Sequence, residues 1–181
     1  MSDQDGRYLE VFGTWLRSLG DDARALGEVL AAEEQPEQVR RPAAVGLSYL
    51  FKSLDLIDDG IENLGYVDDT FVVRVALSQI PTEVLERDET PESLRKLAGQ
   101  VEFVREFLGG EYERLSAFVE GLGELSVRGR SVQALLEDAQ VREEFLADVV
   151  AWANRYEVPA LGQDANNAVK LRAFLATKLT P

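Results

Sequence analysis

Thr70-Phe71-Val72-Val73-Arg74-Val75-Ala76-Leu77-Ser78-Gln79-Ile80, closed by Pro81, is the stretch on which the fold turns. Its valines suit a strand, where β-branched side chains pack well on a pleated surface. A strand needs partners, however, and alternation of apolar and polar residues is scarce elsewhere in the chain. The stretch is therefore expected to be a helix that Pro81 ends. The fold class follows: all-α, a multi-helix bundle with a long amphipathic helix and a smaller C-terminal helical unit.

Working outward supports the same class. In residues 42–54, Ala43, Val45, Gly46, Leu47, Tyr49, Leu50 and Phe51 leave almost no polar face, so this helix is expected to be the central, buried one. Tyr8, Leu9, Phe12, Trp15, Leu16 and Leu19 share one face of a first helix, which Gly20 is expected to stop. Asp21 and Asp22 would then cap a second helix reaching about Glu33. Downstream, Thr90 is the expected N-cap and Pro91 the first helical residue of a single helix through residue 125. Its seam is Leu94, Leu97, Val101, Val104, Leu108, Tyr112, Leu115, Val119 and Leu122, roughly 50 Å long if unbroken. Gly109-Gly110 is the place for a break, and the seam could either pack inside the fold or pair with a second copy. Ser131 can cap a short helix, a longer one covers residues 140–156, and the last spans residues 164–179, with Asp164, Asn166 and Asn167 at its cap. The glycines at 121, 123 and 129 mark a boundary between residues 1–125 and a C-terminal unit, residues 126–181, packed on them.

Composition excludes several chemistries. With 33 acidic against 19 basic residues the net charge is −14, which repels phosphate backbones and anionic lipid headgroups. Nucleic acid is not an expected partner. The chain contains neither cysteine nor histidine. Disulfides, thiolate nucleophiles, Ser-His and Cys-His dyads, zinc-sulfur sites and imidazole metal ligands are thereby ruled out. Any metal would sit among oxygen ligands. No secretory signal opens the sequence and no apolar run is long enough to span a membrane, so a cytoplasmic location is expected.

One segment looks chemically purposeful. Asp55, Asp58, Asp59, Asp68 and Asp69 crowd together with no basic residue between them, in an otherwise apolar stretch. Such carboxylates repel unless they cap helices, accept hydrogen bonds from the backbone or share a cation. In the capping alternative, Asp58 or Asp59 caps a short helix over residues 60–64, Asp68 caps the helix beginning near Thr70, and Asp55 binds backbone amides. In the metal alternative, Asp55, Asp59, Asp68 and Asp69 are the ligands, with Glu62 as a further donor, and Mg²⁺ or Ca²⁺ as the ions that oxygen ligands suit. Otherwise no cofactor is expected. Known metal motifs do not fit. Setting Gly60 as the glycine of an EF-hand loop places Ile57 and Tyr66 at ligand positions, and the Asp58-Asp59 pair lacks the second acidic motif of a prenyl-diphosphate synthase.

The run Tyr49-Leu50-Phe51-Lys52-Ser53-Leu54-Asp55-Leu56-Ile57-Asp58-Asp59, followed by Leu64-Gly65-Tyr66-Val67-Asp68-Asp69, resembles the signature of the YkvA-like domain of unknown function. That family carries a hydrophobic helix ending in Tyr, an Asp-Leu-Ile step with a further aspartate, and a Gly-Tyr-(Ile/Val)-Asp-Asp step. The resemblance covers residues 42–80. Ser53 and Asp58 stand where the family usually has proline. It implies an all-α fold and marks Asp55, Asp59, Asp68 and Asp69 as family-type positions, but it implies no reaction.

Among basic residues, Arg40-Arg41, Arg128 with Arg130, and Lys170 with Arg172 read as solvated. Arg74 differs, because a guanidinium inside an apolar helix needs a carboxylate, which the acidic cluster could supply. Trp15 and Trp152 read as packing anchors. Together these features favour a non-enzymatic interaction or regulatory module with no catalytic residue, binding a protein partner or a second copy through helical surfaces. The alternative is a divalent-cation-dependent hydrolase acting on a phosphate-containing substrate through the Asp cluster.

Overall fold

The computed structural model describes residues 3–52, 55–61 and 64–179. Helices dominate: α1 (Asp3–Ala31), α2 (Glu37–Tyr49), α3 (Val67–Ser78), α4 (Thr82–Leu85), α5 (Glu92–Gly99), α6 (Val101–Leu108), α7 (Tyr112–Leu122), α8 (Val132–Glu137), α9 (Ala139–Arg155) and α10 (Ala165–Lys178). Among the described residues the strands are confined to a two-residue hairpin, β1 (Ser126–Val127) and β2 (Arg130–Ser131), turned by Arg128 and Gly129, both at positive φ. The fold is all-α.

The deciding stretch is helical, and α3 is the axis of the molecule. Every residue from Val67 to Leu77 is buried, and the helix packs against α1, α2, α5, α6 and α7. This all-round burial explains why its sequence carries no polar face. It is α3, more than the helix before it, that occupies the centre. Phe12 joins the layers, its ring 4.7 Å from Phe71 of α3, 4.9 Å from Phe107 of α6 and 5.3 Å from Trp15.

Four expectations need correction. Gly20 does not stop a helix, and Asp21 and Asp22 cap nothing, because α1 runs unbroken through all three, about 44 Å at 1.5 Å per residue. Gly20 faces α9 instead, where a Cβ would make ordinary van der Waals contact, 3.4 Å from the Tyr156 ring and 3.6 Å from the Ala153 carbonyl. α2 starts after Pro36, a turn before Pro42, and keeps Pro42 inside it. Burial of Val39, Ala43 and Ala44 outweighs the proline's poor helical fit. Thr90 does not cap a helix; its hydroxyl donates to the Val84 carbonyl at 2.6 Å, and Pro91 takes the N-cap position of α5.

The expected long helix over residues 91–125 is three helices. It breaks at Gln100 between α5 and α6, and again at Gly109, whose φ of +54° and ψ of −123° lie where only glycine is comfortable. Propensity hid the first break, since Gln100 is a good helix former. The seam residues from Leu94 to Leu122 are all buried within this chain's own core. The seam therefore packs inside the fold and is not left open for a second copy.

Two caps in the C-terminal third match expectation, those of Ser131 and Asp164, and Asn167 adds a bond to the loop before α10. Ser131 Oγ accepts from the Ala134 amide at 3.0 Å, Asp164 from Asn166 at 2.9 Å, and Asn167 donates to the Gly162 carbonyl at 2.9 Å. Here α8 packs on α2, while α9 and α10 pack on α1. The Phe51 and Phe145 rings meet at 5.5 Å, and Tyr156 donates to the Leu16 carbonyl at 2.9 Å. Two of the basic residues expected in solvent are structural. Arg40 is buried and its Nε donates to the Leu30 carbonyl at 3.1 Å, meeting an unpaired group at the C-terminal end of α1. Arg172 donates to the Phe107 carbonyl at 3.0 Å and to Asp5 at 3.1 Å, tying α10 to α6 and α1.

Candidate functional site

The acidic residues converge where the chain leaves α2 and enters α3. Asp68 and Asp69 sit in the first turn of α3, 0% and 2% exposed respectively. Asp68 does not cap its own helix. Its Oδ2 accepts from the Tyr49 hydroxyl at 2.6 Å and from the Ile57 amide at 3.0 Å. Tyr49 in turn accepts from the Leu56 amide at 2.8 Å. Two side chains from different helices thus hold the backbone at Leu56 and Ile57, and a segment without regular structure is anchored. Asp68 Oδ1 and Asp69 Oδ2 are buried without any hydrogen-bond partner.

The rest of the loop is shaped around this anchor. Asp58 Oδ1 accepts from the Gly60 amide at 2.8 Å, making a local turn; the described residues of 60–64 form turns, with no helix for Asp58 or Asp59 to cap. Gly65 lies against the loop so closely that a Cβ on it would stand 2.3 Å from the Asp59 carbonyl oxygen. Tyr66, the N-cap residue of α3, has φ of +64°, a conformation that costs a non-glycine residue on the order of 1–2 kcal/mol. That turn brings the Tyr66 hydroxyl into a hydrogen bond with Asp59. Asp55 is partly buried beside Lys52, whose ammonium lies 4.4 Å over the Phe118 ring. Glu62 and Ser53 lie outside the described residues.

Charge is poorly compensated here. Burial pushes the Asp68 carboxyl up to about 7, against the hydrogen bonds from Tyr49 and Ile57, and the charges of Asp55 and Asp59 add to the rise. Asp69 lies well above the carboxylate range, first through burial and then through Asp68, Asp59 and Asp55. Loss of hydration, with Asp55 and Asp58 adding to it, brings Asp59 up to about 6 despite the Tyr66 bond. Asp59 keeps a face in solvent, so the crowding of like charges is the firmer cause there. Asp55 is raised as well, chiefly by burial, with Lys52 opposing. Tyr66 is pushed up to about 12 by burial and by Asp59 and Asp69.

Arg74 does not relieve this crowding. It points to the other side of α3, 1% exposed, with Nη2 3.6 Å from Asp22 on α1. Its Nε donates to Gln100 at 2.8 Å and its Nη1 to the Thr70 carbonyl at 2.9 Å, with the guanidinium 4.0 Å over the Trp15 ring. The expectation that the cluster would supply its carboxylate is corrected: Asp22, read from sequence as a cap, does so. Arg74 is a structural clamp.

The linkage sign follows from raised carboxyl pKa values. Between the unfolded value near 3.8 and the folded value near 7, native Asp68 holds a proton that the unfolded chain has lost. Stability from this group is fully present below the unfolded value and is lost as pH rises through the folded one. With about 1.4 kcal/mol per unit, Asp68 alone sets a fall on the order of 3 kcal/mol between pH 5 and pH 7, and Asp69, raised in the same direction, adds to it. Thermal melts in cation-free buffer should therefore show Tm falling across that range, and Asp69→Asn should flatten the fall and raise Tm at pH 8. A Tm that climbs from pH 5 to pH 8 would contradict the buried pair.

Fold and site together define an all-α protein with a buried pair of carboxylates, one of which tethers a loop. No family model, curated protein or solved structure matches the chain. Among the described residues no helix is long and apolar enough to cross a membrane, and no three acidic side chains stand ready to grip a metal ion.

Sequence pattern pointed to Asp55, Asp58, Asp59, Asp68 and Asp69, and they do come together. It gave no role to Tyr49, Tyr66 or Gly65. The hint lay in their spacing: an aromatic residue with a hydroxyl ends one helix and another precedes the Asp-Asp pair of the next.

Proposed function

We propose that the protein is a non-enzymatic interaction or regulatory module in which buried Asp68 holds the loop of residues 55–61. The observation that supports this reading is the burial of both carboxylates, one of which, Asp68, anchors the loop at Ile57. A catalytic carboxylate must touch substrate, and these cannot while the loop is down. The chain also lacks the histidine and cysteine on which most general-base and nucleophilic chemistry depends. A pair of unpaired buried oxygens, by contrast, suits an element poised between two states. The net charge of −14 favours a protein partner with a basic surface. Residues 42–80 are read as a YkvA-like unit, supported by the contact between Tyr49 and Asp68 from its two halves.

The test is turnover. Phosphomonoester and phosphodiester substrates incubated with the protein and millimolar Mg²⁺ or Mn²⁺ should be released no faster than in its absence. Metal-dependent hydrolysis that disappears in Asp59→Asn would replace this reading with the hydrolase.

A further inference from the structure

We propose that the cavity where α4, α5 and α6 meet the end of α3 is a binding site for a small zwitterion with an apolar side chain, the class of the aliphatic and aromatic α-amino acids. The site lies apart from the loop that Asp68 holds and does not depend on it.

Three observations support it. The cavity measures about 400 Å³, inside the range of roughly 300–1,000 Å³ typical of small-ligand sites. Its walls are fixed by the core. Arg95 and Ala98 come from α5, Val101 and Arg105 from α6, and the bend between the two helices at Gln100 is pinned by Arg74, whose Nε donates to the Gln100 side chain at 2.8 Å. Ile80, Ala98 and Val101 make a buried apolar floor, with Leu85 half-buried at its edge. The rim, finally, carries both signs of charge without neutralising itself. Glu86, the residue that ends α4, and Arg95 line the same cavity, yet among the described residues neither is in an ion pair. Arg95 only donates through Nη1 to the Arg87 carbonyl at 3.1 Å. Glu102 and Arg105, also on the rim, stand 3.9 Å apart, a loose pair in solvent.

Those charges select the ligand. A simple anion would meet the guanidinium groups of Arg95 and Arg105 but face two carboxylates, and a simple cation would meet the reverse. A molecule with an ammonium and a carboxylate on one carbon answers both: the carboxylate accepts from the flat guanidinium fork, and the ammonium donates to Glu86 or Glu102. Its side chain then covers the floor, removing apolar surface from water, so a leucine-sized chain gains more than a methyl group. Gly99 keeps the space open. It lines the cavity, and a Cβ built on it meets nothing within 4 Å.

Titration with L-leucine and with L-phenylalanine, followed by amide ¹H–¹⁵N shifts in about 150 mM KCl, tests this directly. For at least one of the two, the amides of Thr82, Gly99 and Val101 should move and saturate at one ligand per chain. The corresponding amide, which lacks the carboxylate, and the N-acetyl derivative, which lacks the ammonium, should each bind about tenfold more weakly or worse, the loss expected for one charged hydrogen bond. L-Alanine, without the apolar side chain, should also bind more weakly. Gly99→Leu fills the cavity and should abolish the shifts while Tm holds or rises, because leucine favours a helix more than glycine does. Arg95→Gln and Glu86→Gln, both at exposed positions, should each weaken binding about tenfold and keep the test available should Gly99→Leu fail to fold. Glu143→Gln, on the exposed side of α9, should leave binding unchanged. Shifts that are absent for both amino acids, do not saturate, survive Gly99→Leu, or are matched in strength by the amide or the N-acetyl derivative would overturn the site.

Discussion

Arg74→Ala should destabilise the fold by about 3–5 kcal/mol, the range for stripping one partner from a buried ion pair. Arg74 is the largest of the fully buried side chains, and it touches three helices at once. Its truncation leaves Asp22 of α1 without its guanidinium, Gln100 at the end of α5 without its donor, and the Thr70 carbonyl of α3 with one bond fewer. The Trp15 face loses its covering cation, and a cavity opens at the middle of α3. Arg74→Met keeps much of the volume and should cost less than Arg74→Ala, because a dry, filled space is cheaper than an empty one. Urea unfolding of the two variants measures both numbers. A loss below about 1 kcal/mol for Arg74→Ala would mean that the clamp between α1, α3 and α5 contributes little.

Gly65→Ala should be the most damaging single methyl group in the loop. Its Cβ would fall 2.3 Å from the Asp59 carbonyl oxygen and 3.0 Å from the carbonyl carbon. Both are backbone atoms, which cannot swing aside as the end of a long side chain can. Either Asp59 or the turn into Tyr66 must move, and overpacking of this kind costs about 1–3 kcal/mol. Because Tyr66 is already held at positive φ, the strain should spread to the Tyr66–Asp59 hydrogen bond. Amide exchange at Ile57 and Ile61 should speed up in the variant, while exchange within α9 stays near wild type. Unchanged loop protection would show that the Asp59–Gly65 contact does not hold the loop.

Much of this architecture was legible in the residues, and what was not has identifiable causes. The reading of residues 70–80 as helix succeeded because no second β-rich segment existed to pair with it. Gly20 followed by Asp21 and Asp22 mimics a stop and a cap, yet α1 runs through all three, its buried face continuing past them with Ala23, Leu26, Val29 and Leu30. The long seam was correct in its buried face and wrong in its continuity. A bend at Gln100 leaves the spacing of apolar residues untouched, so periodicity cannot report it. At the acidic segment the pattern located the right carboxylates and misjudged their partners. Asp68 looked like a cap because it opens a helix, yet it reaches back to Tyr49 and Ile57. Arg74 looked like the cluster's counter-ion because it lies five residues from Asp69. On a helix that separation turns it toward a different face, and Asp22 waits there. Contacts between residues far apart in the chain were what the sequence withheld.

The central claim is that Asp68 and Asp69 are buried beside one another with too little positive charge to keep both ionised. Carboxyl ¹³C shifts, followed through a pH titration in cation-free buffer and assigned with Asp69→Asn, read this most directly. The account predicts that Asp68 titrates with a midpoint near 7 and Asp69 well above the ordinary carboxylate range. Midpoints for both at or below about 4, the value of a solvated aspartate, would contradict it.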